Sequence, residues 1–182
     1  MTILYQTLAN NENVDNIEKN GPFKCESKTA WLGTGYYFWE QFIENAQWWG
    51  KQIHGGNYII CSSSYDRFSD DCLDLIDNDD DLKTVREFIE ELKRKGKYTA
   101  STSLSRVIEL FKNEFNIKAA RINGIGSKRG SFEDHKVYIN KEKTNIFIDL
   151  MPPIQVCIYD KSILLKEFKV IYPIEYASDT LV

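Results

Sequence analysis

Hydrophobic and polar positions along the chain predict strand and helix first, helices in the middle and strands toward the end. Residues 2–8, TILYQTL, mix β-branched and aromatic side chains as a short strand does. In NNENVDNIEKNGP, Val14 and Ile17 share one helix face, Asn10 or Asn11 can cap it, and Asn20-Gly21-Pro22 stops it. Residues 23–30 read as a loop. WLGTGYYFW is an extended segment punctuated by glycine. EQFIENAQWWGKQI then turns helical, with Phe42, Ala46, Trp49 and Ile53 in one apolar stripe and Gly55-Gly56 as its end. NYIICSSSY is a strand whose YIIC core is continuously apolar.

The acidic run DRFSDDCLDLIDNDDD is expected to begin a helical region. In DLKTVREFIEELKRK, Leu82, Val85, Ile89 and Leu92 mark one helix face. Asp79 to Asp81 lie at its start and Lys93 to Lys95 at its end, as the helix dipole prefers. TSLSRVIELFKNEF gives a second helix, with Leu104, Val107, Ile108, Phe111 and Phe115 inward. From 117 on the pattern is β: IKAARI, KVYIN, NIFIDL, IQVCIYD and KEFKVIYP are strand candidates, and Pro152-Pro153 force an extended corner. The order implies an α+β domain spanning 1–182, with the 79–116 helices as an insertion over the sheet.

Composition narrows the function. At 182 residues, with 42% hydrophobic and 27% charged residues, the chain suits one folded domain. A net charge of −4 argues against gripping nucleic acid by bulk electrostatics, though it leaves room for a local basic groove. No apolar run approaches a membrane span, and MTILYQTLANN lacks the order of a signal peptide, so a cytoplasmic protein without membrane partners is expected. Cys25, Cys61, Cys72 and Cys157 are dispersed and read as reduced thiols. With His54 and His135 the only histidines, no metal site is expected.

Neither histidine lies near a nucleophile pattern, so serine or cysteine hydrolase chemistry is not indicated. GTG at 33–35 and GIG at 124–126 complete no phosphate-binding fingerprint. RINGIGSKRGS sets Arg121, Lys128 and Arg129 beside flexible backbone, which suits an anion-binding loop or equally a solvated hairpin. The acidic run lacks the glycine and closing glutamate of a calcium loop and reads as a helix N-terminal charge cluster. All four tryptophans fall in WLGTGYYFWEQFIENAQWWG. Trp49 is expected in the core with Phe42. Trp31, Tyr36 and Trp39 are open between core and cleft, and Tyr37 points away from Tyr36 and Phe38.

These pieces resemble, in order, the ADP-ribosyltransferases of the diphtheria-toxin and poly(ADP-ribose) polymerase type. LYQTLANNENVDNIEKNGPF is similar to that family's opening strand and short helix. WLGTGYYFWEQFIENAQWWGK is similar to its G-x-G-(I/V)-Y-F segment, and most to small bacterial proteins reading W-L-G-x-G-(I/V)-Y-F. CLDLID and IQVCIYDKSILLKEFKVIY also resemble segments of that bacterial group. The resemblance implies a split, mainly antiparallel sheet and an NAD-dependent transferase, a toxin or defence effector of bacterial or phage origin. Such a protein expels nicotinamide from NAD and passes ADP-ribose to protein, RNA or DNA, or to water, and an antitoxin or regulatory protein could accompany it.

Carried over by position, the resemblance implies that Tyr37 stacks on nicotinamide. Gln6 stands where the family has a ribose-holding histidine, Thr7 supplies a backbone contact, and Gln155 falls near the late catalytic carboxylate. Tyr5, Gly35 and Tyr36 flank these contacts, and Arg121 and Arg129 are the pyrophosphate candidates. A glutamine can orient a hydroxyl but cannot oppose positive charge as a carboxylate does. The alternative is therefore a catalytically inactive domain of the same fold that binds a nucleotide or a protein. A third reading is a structural interaction protein whose aromatics are all core.

Overall fold

A computed structural model describes residues 1–10, 13–27, 29–124, 135–139 and 147–177. Their elements run β1 (Thr2–Ala9), α1 (Val14–Asn20), β2 (Tyr36–Glu40), α2 (Ile43–His54), β3 (Tyr58–Tyr65), β4 (Cys72–Asp74), α3 (Asp79–Arg94), α4 (Leu104–Phe115), β5 (Ala119–Asn123), β6 (Lys136–Tyr138), β7 (Phe147–Asp149), β8 (Ile154–Ile158) and β9 (Lys169–Tyr172). The architecture is α+β. A seven-stranded sheet has the order β4-β5-β8-β2-β1-β3-β9. Its pairs are antiparallel except β4 with β5. Within KVYIN and NIFIDL, Lys136–Tyr138 and Phe147–Asp149 do form strands, but among the described residues β6 and β7 pair only with each other in a separate ribbon.

The acidic run departs from its expected helical start. Cys72–Asp74 is instead a strand parallel to β5, and Lys118 and Ala119 donate to the Asp71 carbonyl at its entrance. The Asp74 carboxylate then accepts from the Ile76 and Asp77 amides, which turns the chain before a helix can start. Asn78 caps α3 by accepting from the Asp80 and Asp81 amides. Parallel neighbours need a long crossover, and α3 with α4 supplies it.

The helices bury fewer of the expected positions than the periodicity suggests. In α3 the inner face is Val85, Phe88 and Leu92, while Leu82 is exposed. In α4 it is Val107, Ile108 and Phe111. Leu104 and Phe115 sit outward, although the Phe115 ring still stacks on Phe111 at 4.2 Å. In α2 the inner line is Ala46 and Gly50, because Gly50 lies against the Tyr58 ring with no room for a Cβ. That contact rotates Ile53 and Trp49 outward, leaving Trp49 37% exposed rather than in the core.

Two layers of side chains flank the sheet. One face gathers Leu4, Phe38, Ile59, Tyr65, Val156 and Val170 under Ile17 of α1 and Phe168. The other carries two separate clusters. Trp39, Tyr58 and Ile60 pack on Ala46 of α2. Leu73, Ala120 and Cys157 pack on α3 and α4. Tyr37 borders the second cluster and Trp39 belongs to the first, so the floor between them is β2.

Candidate ligand-binding cleft

Along β1 the sheet divides. β1 pairs with β3 from Thr2↔Tyr65 to Ala9↔Tyr58. Against β2 it pairs only at Leu4↔Glu40 and Tyr5↔Trp39. β2 meanwhile runs on beside β8, from Trp39↔Gln155 to Tyr36↔Ile158. The wedge between the diverging strands opens into a cavity of about 430 Å³, a volume that suits a small organic ligand. Gln6, Thr7, Tyr37 and Gln155, spread over most of the sequence, all line it.

The walls are mostly aromatic. Phe23, Trp31, Tyr37, Trp39, Trp48 and Trp49 border the space. Trp39, Trp48 and Trp49 form a mutual cluster with ring centroids 6.0 to 6.4 Å apart. Trp31 is 42% exposed. Large rings left half in solvent around one hollow are unusual for a core and usual for a binding site. The pattern Trp48-Trp49 held a signal for this. Adjacent helical residues lie about 100° apart, so both indoles could not join one inward stripe.

Tyr37 is fixed by its hydroxyl. That oxygen accepts from the Leu32 amide at 2.8 Å and donates to the Gly33 carbonyl at 2.8 Å. The Tyr159 hydroxyl donates to the Leu32 carbonyl at 2.8 Å, so two tyrosines hold the turn that carries Trp31. Burial is the main cause that pushes the Tyr37 phenol well above its ordinary range. Behind the ring, burial raises the Cys157 thiol to about 12. Gly35 packs on Cys157, and a Cβ there would also lie 2.9 Å from the Ile158 carbonyl oxygen. Its bridge to Cys25 holds the loop whose Phe23, Cys25 and Trp31 line the cavity.

The polar groups divide into committed and free. The Thr7 hydroxyl donates to the Ala46 carbonyl at 2.8 Å and ties α2 to β1. Gln6, 5% exposed, donates to the Phe23 and Tyr37 carbonyls and accepts from the Phe23 amide. Gln155 is half-buried, and among the described residues its side-chain amide meets no hydrogen-bonding partner. Lys24, Cys25 and Tyr37 are the ionisable side chains among the described lining residues, and no carboxylate stands there.

The remaining predicted residues lie elsewhere. Tyr5 packs at the edge of the α2 cluster, and burial followed by the nearby Glu44 raises its phenol. Tyr36 points to the opposite face, beneath Lys161 with its Nζ 4.8 Å from the ring centre. Arg129 lies outside the described residues. Arg121, expected near a pyrophosphate, is an internal anchor instead. It is 1% exposed, with Nε 2.9 Å from Glu40 and Nη1 2.9 Å from Asp74 and 2.8 Å from Asp77. Tyr65 donates to Glu40 at 2.7 Å, and Arg67 stands 3.8 Å from Asp77. Three carboxylates against two arginines leave that cluster acidic, so it repels phosphate. The carboxylates on either side of β8, Asp149 and Asp160, do not line the cavity; Asp149 accepts from the Met151 amide and Asp160 from that of Ser162.

No protein-family model, curated protein or solved structure matches the chain. Among the described residues no helix is long and apolar enough to cross a membrane, and no cluster of histidine, cysteine or carboxylate side chains could hold a metal ion.

Proposed function

We propose that the cleft between β1 and β2 binds NAD by its nicotinamide end and that the chain is an NAD-dependent ADP-ribosyltransferase. The observation that carries this reading is the convergence of Gln6, Thr7, Tyr37 and Gln155 on one aromatic hollow. The pyridinium ring is flat and cationic, so indole and phenol faces attract it by stacking and cation–π contact. The Tyr37 ring is presented edge-fixed by its hydroxyl, which costs little ordering on binding.

In the reaction the bond between nicotinamide nitrogen and ribose C1′ breaks. Its electron pair leaves with the nitrogen, which becomes neutral, and positive charge develops on the ribose. A lone pair of the acceptor then bonds to C1′ and the acceptor loses a proton. The aromatic walls keep water from the bond, and the Gln155 amide orients a ribose hydroxyl. The acceptor is a macromolecule, in keeping with a toxin or defence effector.

One observation favours a second reading, an inactive nucleotide-binding domain: among the described lining residues no carboxylate faces the space where that charge would develop. Incubating the purified chain with NAD labelled separately in nicotinamide and adenine, with and without cell lysate, decides between them. Nicotinamide release with transfer of the adenine label supports the transferase. Binding without release supports the second reading, and neither binding nor release ends both.

A further inference from the structure

The two glutamines of the cleft do different work. We infer that Gln6 is a positioning residue whose amide replaces the main-chain pairing missing where β1 and β2 part, and that recognition of the ligand by a side-chain amide falls to Gln155; the second half rests on the NAD reading above.

The β1–β2 ladder ends at Tyr5↔Trp39. At the very next residue the Gln6 Nε2 donates to the Tyr37 carbonyl at 3.2 Å and to the Phe23 carbonyl at 2.9 Å, and Oε1 accepts from the Phe23 amide at 2.9 Å. The reciprocal pair with Phe23 copies a two-bond strand contact, and the third bond holds the peptide carbonyl of the stacking tyrosine. A primary amide has two N–H groups, and both are spent. Glutamate offers no N–H here. Methionine matches the length but offers no polar group. Gln6 thereby joins β1, β2 and the loop over the cavity at one point. A side chain that holds ribose by donating to it would need a free N–H facing the ligand, which this buried amide does not keep.

Gln155 contrasts with it in every respect that matters. It lies on the same face as Tyr37 and Trp39, borders the same cavity, and among the described residues its amide is uncommitted. One donor pair and one acceptor match a ribose diol or a primary carboxamide.

The test uses the full chain with Gln6→Glu, Gln6→Met and Gln155→Ala. At pH 8 the introduced carboxylate turns acceptors toward two carbonyls. Hydrogen exchange at the Phe23 amide, corrected for its intrinsic rate, is expected to lose protection about 10- to 100-fold relative to wild type. Burial against two carbonyls raises the introduced carboxyl above its ordinary range, so at pH 5 it gains a proton, can donate once and still accept from Phe23, and protection returns to within a few-fold, roughly one bond short of wild type. Gln6→Met loses protection at both pH values. A Gln6→Glu chain unfolded at pH 8 and folded at pH 5 supports the same role. No loss, a loss that ignores pH, or a chain unfolded at both overturns it.

Calorimetry with NAD provides the second arm. The affinity of Gln6→Glu is expected to follow its exchange protection with pH, while Gln155→Ala is weaker by about 10-fold at both. Wild-type-like binding by Gln155→Ala overturns the recognition half. If the wild-type chain binds no NAD, that half falls with the proposed function, and the exchange results still decide the role of Gln6.

Discussion

Replacing Tyr37 by phenylalanine separates its ring from its hydroxyl. The ring that lines the cavity stays. The oxygen that accepts from Leu32 and donates to Gly33, each at 2.8 Å, goes. Each hydrogen bond is worth about 1 kcal/mol net, and an amide left unpaired under cover costs about 1–3 kcal/mol. The turn is held from its other side by Tyr159, so part of it survives. The expected destabilisation is about 2 kcal/mol. With an m-value of about 2 kcal/mol/M in urea, the unfolding midpoint drops by about 1 M. Equilibrium urea denaturation followed by tryptophan emission measures this directly, because Trp31 sits in the turn that is released. On the proposed NAD reading, affinity is expected to fall less for Tyr37→Phe than for Tyr37→Ala, which also loses the ring. A Tyr37→Phe chain as stable as wild type within about 0.5 kcal/mol would refute the pinning role.

Other consequences follow from the same geometry. Trp49→Ala should cost under about 1 kcal/mol of stability, since the side chain is 37% exposed, yet weaken NAD binding by about 10-fold in a calorimetric titration; equal loss in both would make Trp49 a core residue. Arg121→Met should destabilise by about 3–5 kcal/mol in urea at pH 7, because it leaves Glu40 and Asp74 buried without their counter-charge, and the loss should shrink in acid as carboxylates take up protons; a small, pH-independent loss would contradict the anchor. Burial raises the thiols of Cys61, Cys72 and Cys157 to about 12 from 9.0. Since these folded-state values lie above the unfolded ones, stability falls as pH climbs from 9 toward 12, and a thiol reagent at pH 8 should label Cys25 alone until urea is added. Rapid labelling of all four in the native state would refute that burial.

Local patterns carried much of this fold. The amphipathic spacing of α3 and α4, the end charges of α3, the Gly55 turn after α2 and the strand character of β1, β3, β5, β8 and β9 were all readable, because each depends on neighbours within a few residues. The opposed directions of Tyr36 and Tyr37 followed from the two-residue period of a strand. β4 was not readable. Three residues show no period, and it is a strand only because β5, far along the chain, offers it a partner. Arg121 misled for a similar reason: its charge suggested a ligand, but its partners Glu40, Asp74 and Asp77 come from distant segments. Trp49 looked inward on spacing alone until the contact of Gly50 with Tyr58 set the helix rotation. The site residues expected at Gln6, Thr7, Tyr37 and Gln155 came from resemblance to a family rather than from local physics. Their different hydrogen-bonding states needed three dimensions to appear.

The proposed function places the nicotinamide end of NAD in the hollow between β1 and β2. Saturation-transfer NMR on NAD with the wild-type chain tests it most directly, since the protein is saturated and the nearest ligand protons respond. Strongest transfer to the nicotinamide ring protons, weaker transfer to adenine, and loss of the nicotinamide signal with Tyr37→Ala are the predicted results. No transfer, or a signal that is strongest on adenine and unchanged by Tyr37→Ala, would contradict it.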